Sequence, residues 1–495
     1  RLFLKQFTRD AAFAIFPATG GRGGAFTAYV ESESEIARIF EAQVDPALKR
    51  RMPDLQKDKI TQDGLTYYKY SSAQFPPRVS PCYFVSNHHL IIGNSEEAMA
   101  SLARVSNGKV NPLKKNALFQ EAKLDLGYRR GILFFLNAQK GLEIVHASAP
   151  PAMQKMWPVL LKITGIDAVR FFTYSVTVKD QGFREIGLLS VAPERKGLLK
   201  VYMDQPVQKL TTLNSIPSSA RVVSAGTLAD FAKMWDEVNS QMSAVLSKDE
   251  YEKYKQGMDM LRNIFNFDIR RDLLEPIGNQ FAFSYEPADP SASDPSRMKY
   301  LLVLNLRKPD QFRQTIERLV SLGSLRGLKA DHENYKGKDI VSLETGLPQV
   351  NLTPCYIIDG SWFTFSTHVD LLKKSIDTTP AGSIASFADY KQLTSNFPGE
   401  VNGLSYTNVQ AYLEMYATML KRQADSEENR WITEMGVQEE LESLAKNLFG
   451  SASYMQMRKE GVYVETYASL PSSVLALPVL MTLYPSIARR YPHTD

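Results

Sequence analysis

Pro81-Cys82-Tyr83-Phe84-Val85-Ser86-Asn87-His88-His89-Leu90-Ile91-Ile92-Gly93-Asn94 and Pro354-Cys355-Tyr356-Ile357-Ile358-Asp359-Gly360-Ser361-Trp362-Phe363-Thr364-Phe365-Ser366-Thr367 decide how this chain is read. Each opens on Pro-Cys-Tyr, runs through a short apolar stretch, turns at polar residues and returns through a second apolar stretch. Apolar runs flanking a tight polar turn read as a β-hairpin. Seventeen residues ahead of each proline stands a glycine, Gly64 or Gly337. After each hairpin comes a helix-start signal, Asn94 with Glu97 or Thr367 with Asp370. The shared offset of 273 residues predicts an internal duplication, and a repeat of this size governs the whole fold.

Working outward, the two halves keep the same order of elements. In the first, Ala11–Pro17 and Ala25–Glu31 read as strands joined by a flexible Gly20–Gly24 tip, and Ser32 with Glu35 forms a capping box before the apolar face Ile36, Ile39 and Phe40. In the second, Gln280–Tyr285 and Tyr300–Leu306 are the strands, their loop is Glu286–Arg297, and Pro309 opens a helix carrying Phe312, Ile316 and Leu319. Phe13-Ala14-Ile15-Phe16 aligns with Phe281-Ala282-Phe283-Ser284. Beyond the hairpins, Gly131–Asn137 corresponds to Gly403–Asn408. Each half closes on an antiparallel pair turning at a glycine, Arg170–Lys179 with Phe183–Val191 and Ser451–Arg458 with Val462–Ala468. Amphipathic helices are expected over Leu228–Leu246, Lys248–Phe265 and much of Leu420–Leu448. Hairpin-linked strands with inserted helices predict an α+β protein of two tandem duplicated modules, each a mainly antiparallel sheet with packed helices.

The expected boundaries are 1–215 for the first module, 216–470 for the second and 471–495 for a tail. The second half carries about fifty residues, from Ile216 onward, ahead of its first aligned strand, and the first half has no counterpart to them. That difference predicts a natural N-terminus upstream of Arg1, where a targeting segment or membrane anchor could sit. The stretch Thr466–Ala488 has no charged residue, and Pro471, Pro478 and Pro485 recur within it. Those prolines argue against a regular spanning helix. A tail packed on the protein's own surface, an interfacial membrane segment and a docking peptide all remain open.

At 495 residues the chain exceeds what one hydrophobic core supports. Its 58 basic and 54 acidic residues are dispersed, which speaks against nucleic acid as a partner, since such binders concentrate positive charge on one face. Lys49-Arg50-Arg51 is the one dense basic cluster and reads as a solvated turn. Two cysteines make no disulfide framework; Cys82 and Cys355 read as small buried strand residues.

No pattern carrying chemistry stands out. The Gly20–Gly24 run lacks the Lys-Ser/Thr that a phosphate loop needs at its helix start. The six histidines show no i, i+4 pair with a Glu base that would hold zinc on one helix face. His88 and His89 read as a turn residue beside a half-buried one, and the second half has Ser361 and Trp362 at those places. No nucleophile elbow is present. Asp268 and Asp272, flanking Arg270-Arg271, read as local ion pairing at the entry to a sheet. Tyr67-Tyr68-Lys69-Tyr70 and Phe134-Phe135 could line a groove, but core and sheet packing accounts for them. Catalytic, cofactor and metal residues are accordingly assigned to none.

The element order, with Leu90-Ile91-Ile92-Gly93-Asn94-Ser95 after the Pro-x-Tyr hairpin, resembles a large bacterial envelope family known only as a domain of unknown function. The stretch Phe267-Asp268-Ile269-Arg270-Arg271-Asp272-Leu273-Leu274 with Pro276-Ile277-Gly278 is similar to that family's opening. The resemblance implies an extracytoplasmic location and an N-terminal membrane anchor or signal, and it brings no catalytic motif. The expected function is a non-catalytic, membrane-associated binding or scaffold protein, an accessory subunit of a membrane complex. The alternatives are a carrier for a lipid or other apolar ligand, and a hydrolase whose site is assembled from distant residues. Oligomeric state is not legible.

Overall fold

The computed structural model describes residues 11–18, 21–62, 64–76, 79–106, 108–126, 131–264, 266–287, 298–325, 327–344, 353–424 and 437–472. Two compact units divide the chain, Arg1–Gln120 and Glu121–Asp495. The expected tail from residue 473 on, and most of the Glu286–Arg297 loop, lie outside the described residues.

In the first unit six strands, β1 (Ala11–Ala18), β2 (Gly21–Tyr29), β3 (Gln56–Gln62), β4 (Leu65–Ser71), β5 (Cys82–Ser86) and β6 (His89–Gly93), form an antiparallel sheet in the order β1-β2-β6-β5-β4-β3. Alternation along β5 sends Tyr83 to one face and Cys82 and Phe84 to the other. Tyr83 joins Val30, Ile36, Ile39, Phe40, Leu55, Tyr70 and Leu90 in one core cluster, beneath the helix Glu33–Ile39. That helix starts as the capping box requires, with the Ser32 side chain accepting from the Glu35 N–H. Cys82 and Phe84 meet Tyr67 and Met99, the latter from the helix Glu96–Ser106. The Gly21–Gly24 run is part of β2 rather than a flexible tip, its residues pairing with Ile15–Ala18. Ladder pairing overrides the low strand propensity of glycine, and the Gly24 N–H donates to Asn94 Oδ1 at 2.8 Å.

In the second unit thirteen strands form one antiparallel sheet. They are β7 (Ile132–Asn137), β8 (Val169–Lys179), β9 (Gly182–Val191), β10 (Val222–Thr227), β11 (Ile277–Pro287), β12 (Met298–Leu306), β13 (Lys329–Tyr335), β14 (Lys338–Glu344), β15 (Cys355–Asp359), β16 (Trp362–Ser366), β17 (Gly403–Thr407), β18 (Ser451–Arg458) and β19 (Gly461–Ala468). Their order is β13-β14-β15-β16-β12-β11-β10-β17-β18-β19-β9-β8-β7. Two antiparallel sheets with helices between their strands make the protein α+β. The run β11-β12-β16-β15-β14-β13 repeats the strand order of the first unit.

The agreement extends to single hydrogen bonds. Tyr70 N–H donates to Pro81 O at 2.8 Å and Leu343 N–H to Pro354 O at 2.7 Å. Val30 N–H donates to His88 O at 2.8 Å and Leu306 N–H to Ser361 O at 2.7 Å. Gly64 and Gly337 both have positive φ, 78° and 80°, at the turns β3–β4 and β13–β14, a conformation glycine enters without a Cβ penalty. Asn94 and Thr367 act differently from expectation: helices do follow, at Glu96 and Val369, but these two side chains accept from the Gly24 and Tyr300 N–H groups of the neighbouring strand. A cap side chain and a strand-bridging side chain need the same short polar residue, so sequence could not separate them.

The ladders also correct the expected register of the first strand. Cys82 pairs with Gly93, Gly93 with Ala25 and Ala25 with Ala14; Cys355 pairs with Ser366, Ser366 with Leu301 and Leu301 with Ser284. Ala14 therefore matches Ser284, two residues from the sequence alignment. A two-residue slip keeps every side chain on its face, which is why apolar alternation could not exclude it.

β9 and β19 pair antiparallel toward the β7 end of the second sheet, with Ile186 opposite Glu465. Each stands four residues after its hairpin glycine, Gly182 or Gly461. The sheet thus has a local twofold relation about this pair, with β9-β8-β7 on one side and β19-β18-β17 on the other. β9 pairs with β19, so strands from both of the expected segments 1–215 and 216–470 lie in one sheet, and the compact units divide at Gln120. Of the stretch Leu420–Leu448, expected to be helical over much of its length, the described part is helical at the end of Val409–Ala424 and over Val437–Ala445, and residues 425–436 lie outside the described residues.

Candidate functional site

Each unit has a cleft at the edge of the sheet face that carries its Pro-Cys-Tyr tyrosine. In the first unit the cleft is about 510 Å³ and is lined by Asp45, Lys49, Leu55, Gln56, Lys57, Asp58 and Tyr70. Asp45 begins the helix Asp45–Arg51, and Lys57 lies on β3. Lys57 Nζ lies 2.5 Å from Asp45 Oδ2, and the Tyr70 hydroxyl donates to Asp45 Oδ1. The same ammonium stands 4.5 Å from the Tyr68 ring centroid and 5.3 Å from that of Tyr83. Partial burial pushes the Lys57 pKa down, but Asp45 and Tyr83 outweigh it and the net direction is up. Burial likewise pushes the Tyr83 phenol up, against the pull of Lys57. Behind these groups Tyr83 stacks on Phe40 at 4.0 Å, so the cleft has a rigid aromatic floor.

In the second unit the cleft is about 450 Å³, bordered by the helix Pro309–Ser324 and strands β13 to β15. Arg313, Glu317 and Ser321 line it from the helix; His332, Asp339 and Tyr356 line it from the sheet. Arg313 Nη2 donates to Ile358 O at 2.9 Å, and His332 Nδ1 lies 2.9 Å from Asp339 Oδ2. Burial raises the Tyr356 phenol, helped by Glu317 and Asp339 and opposed by Arg313. Its ring sits 5.8 Å from Phe363, which packs edge-on against Phe312 at 5.2 Å. The two clefts share their frame, a helix after the second strand facing the hairpin tyrosine. They do not share their charged groups.

A third polar cluster lies where β18, β19 and β9 meet. Glu465 accepts from Arg184 Nε at 2.6 Å, from Tyr463 at 2.7 Å and from Tyr454 at 3.0 Å, and the Arg458 guanidinium lies 3.5 Å from the Tyr463 ring centroid. Burial pushes the Glu465 carboxyl up, but Arg184 and the two phenols hold it below its ordinary range. A carboxyl depressed in the folded state stabilises the fold above its unfolded pKa, and that contribution disappears as pH falls through the folded value. Glu465→Gln is therefore expected to cost stability at pH 7 and to flatten the acid side of the stability–pH curve below about pH 4.5. Urea midpoints measured from pH 3 to pH 7 check this; an unchanged slope on the acid side would contradict it.

Most residues flagged in sequence prove structural. Cys82 and Cys355 are free, buried thiols, and burial pushes each up to about 12, so neither is a poised nucleophile. Asn87 and His88 form the hairpin turn with positive φ, and His88 stacks on Tyr29 at 5.7 Å. Asp268 caps the turn Ile269–Leu274 and pairs with Arg262, while Asp272 is bound by Arg271 and by the Asp268 N–H. Of the aromatic run, Tyr70 lines a cleft whereas Tyr67 is buried on the opposite face. Asp45, Lys57, Arg313, Glu317 and Glu465 went unmarked in the sequence, because nothing in their local spacing announces a partner a strand away. Ile132, Phe134 and Leu136 on β7 are exposed by 67, 49 and 46 %, an apolar stripe of the kind that marks interaction surfaces. Among the described residues no group of His, Cys, Asp and Glu could hold a metal ion, and no helix is long and apolar enough to cross a membrane.

Residues 265–482 match the family described as a protein of unknown function (DUF3352), so a DUF3352 domain is found there. The match takes in β11 through β19. No curated protein matches the chain. No solved structure matches it either.

Proposed function

We propose that the chain consists of two tandem copies of one α+β module and serves as a non-catalytic, extracytoplasmic and membrane-associated binding or scaffold protein. The observation that carries this reading is the pair of clefts. Both stand between a helix and the hairpin tyrosine, yet one is lined by Asp45, Lys57 and Tyr70 and the other by Arg313, Glu317, His332 and Asp339. A reaction carried by both copies would need the same groups at matching positions, whereas diverged binding surfaces need only the same frame. The shared strand order, the matched hydrogen bonds and the local twofold relation between β9 and β19 support the tandem arrangement. Charged borders favour a polar partner surface over an apolar ligand. The exposed β7 stripe adds an apolar contact of the sort protein interfaces use.

The test is site-specific photo-crosslinking in native membranes, with the reactive group at Lys49, at Ser321 and at Phe134. Discrete adducts with membrane proteins from these positions, and none from a probe at the exposed Gly399, are the expected result. Recovery of the full-length protein as a free, partnerless monomer would sink the reading. Covalent labelling of a cleft residue by a mechanism-based hydrolase probe would turn it toward the enzyme alternative.

A further inference from the structure

The two clefts differ in what their charged groups do. In the first, Lys57 and Tyr70 both bond to Asp45, so these groups satisfy one another within the wall. In the second, Arg313 and Glu317 stand one turn apart on the helix Pro309–Ser324, on the face that borders the cleft, with Ser321 one turn further on. Among the described residues neither Arg313 nor Glu317 belongs to an ion pair. An arginine ahead of a glutamate at this spacing is the weaker order for an intrahelical pair. Arg313 turns instead to the sheet, where Nη2 donates to Ile358 O at 2.9 Å. That bond occupies one of the five N–H donors of a guanidinium.

The floor between these groups is Tyr356, 7 % exposed and paired across the ladder with Val341. Glu317 and Asp339 push its phenol up while Arg313 pulls it down, so charges of both signs converge on one ring. An aromatic ring beside carboxylates favours an ammonium group. A guanidinium with donors to spare favours a carboxylate or phosphate, which it can hold through two parallel bonds. Val320, Val341 and Ile358 supply apolar wall between the charged rims. At about 450 Å³ the cleft has the size of a small-molecule site.

We propose that this second cleft binds a small zwitterion, its anionic group on Arg313 and its ammonium group between Glu317 and Asp339 against Tyr356. The proposal rests on the reading of the clefts as binding surfaces and names the ligand class of one of them. A free amino acid and the phosphoethanolamine head group of a lipid share this chemistry. The first cleft is not equipped for it, because Lys57 already neutralises Asp45 from within.

Isothermal titration calorimetry of the 1–495 chain tests the proposal with L-leucine and with glycerophosphoethanolamine as probes. Isoamylamine and isocaproate, which each keep one charge of leucine, are the comparison. At least one zwitterion is expected to bind saturably at one site, and each single-charge analogue at least about tenfold more weakly, for want of one charge-assisted contact. Binding of leucine alone assigns the site to free amino acids, and binding of glycerophosphoethanolamine alone assigns it to a head group. Arg313→Gln is expected to weaken the bound zwitterion at least about tenfold and to leave isoamylamine unchanged, whereas Glu317→Gln leaves isocaproate unchanged. Arg313→Lys, which keeps the charge but not the fork, is expected to fall between, and it serves as the variant should Arg313→Gln fail to fold. Heat from neither zwitterion overturns the proposal, as does an analogue that binds as tightly as its zwitterion. Photo-crosslinks from Ser321 in native membranes separate the two readings. Crosslinks without zwitterion binding remove only the ligand, whereas zwitterion binding without crosslinks keeps this site and removes the partner surface.

Discussion

Gly461→Ala is expected to destabilise the second unit by roughly 3–5 kcal/mol, among the largest effects of any single methyl group in this protein. Gly461 opens β19 with φ of 145°, a region that L side chains rarely enter, and pairs across the ladder with Ser190. A Cβ there would collide with the carbonyl oxygen of Leu189. That carbonyl belongs to the β9 backbone, so no rotamer change relieves the clash, and the β9–β19 ladder has to open. Gly182, at the twofold-related place, faces the same problem from the Ala468 carbonyl. Gly257 supplies the control: it lies in the helix Lys248–Ile264 with nothing near its missing Cβ. Gly257→Ala is expected to stabilise by up to about 1 kcal/mol. Urea denaturation of both variants measures the contrast. Similar midpoints for the two would mean that the close approach at β9–β19 is not a constraint of the fold.

Tyr83→Ala is the second large expectation, at about 3–5 kcal/mol and confined to the first unit. The ring stacks on Phe40, on Tyr68 at 5.2 Å and on Tyr70 at 5.8 Å, and its loss leaves the cleft without a floor. The two buried thiols report each unit separately, because Cys82 lies in one and Cys355 in the other. Both are unreactive while folded, for burial holds each near 12. In the Tyr83→Ala protein, Cys82 should become alkylated at moderate urea while Cys355 stays protected; Tyr356→Ala should show the reverse. Simultaneous exposure of both thiols in either variant would mean that the two cores unfold as one.

The hairpins were legible because their information is local. Alternation along Cys82–Ser86 and Cys355–Asp359, with a positive-φ turn at Asn87 or Gly360, specifies two strands and their faces within about ten residues. The Ser32–Glu35 cap and the Pro309 helix start are local in the same way. Register was less accessible. A period of two is satisfied equally by alignments of the first strand two residues apart. The Gly21–Gly24 run looked like a loop because glycine's weak strand preference gives no hint of a partner strand and of Asn94 waiting across the sheet.

What the sequence by itself determined, then, is the set of elements, their antiparallel pairing within each hairpin and the sidedness of each strand. Only the tertiary structure decided that β9 would lie against β19, that Asp45 would meet Lys57 and Tyr70, and that Glu465 would be held by Arg184 from a strand 281 positions away in sequence. The physical reason is range. Backbone periodicity and capping act over a few residues, whereas an ion pair or a strand edge is indifferent to sequence separation and is selected by whichever backbones the fold brings within hydrogen-bond reach.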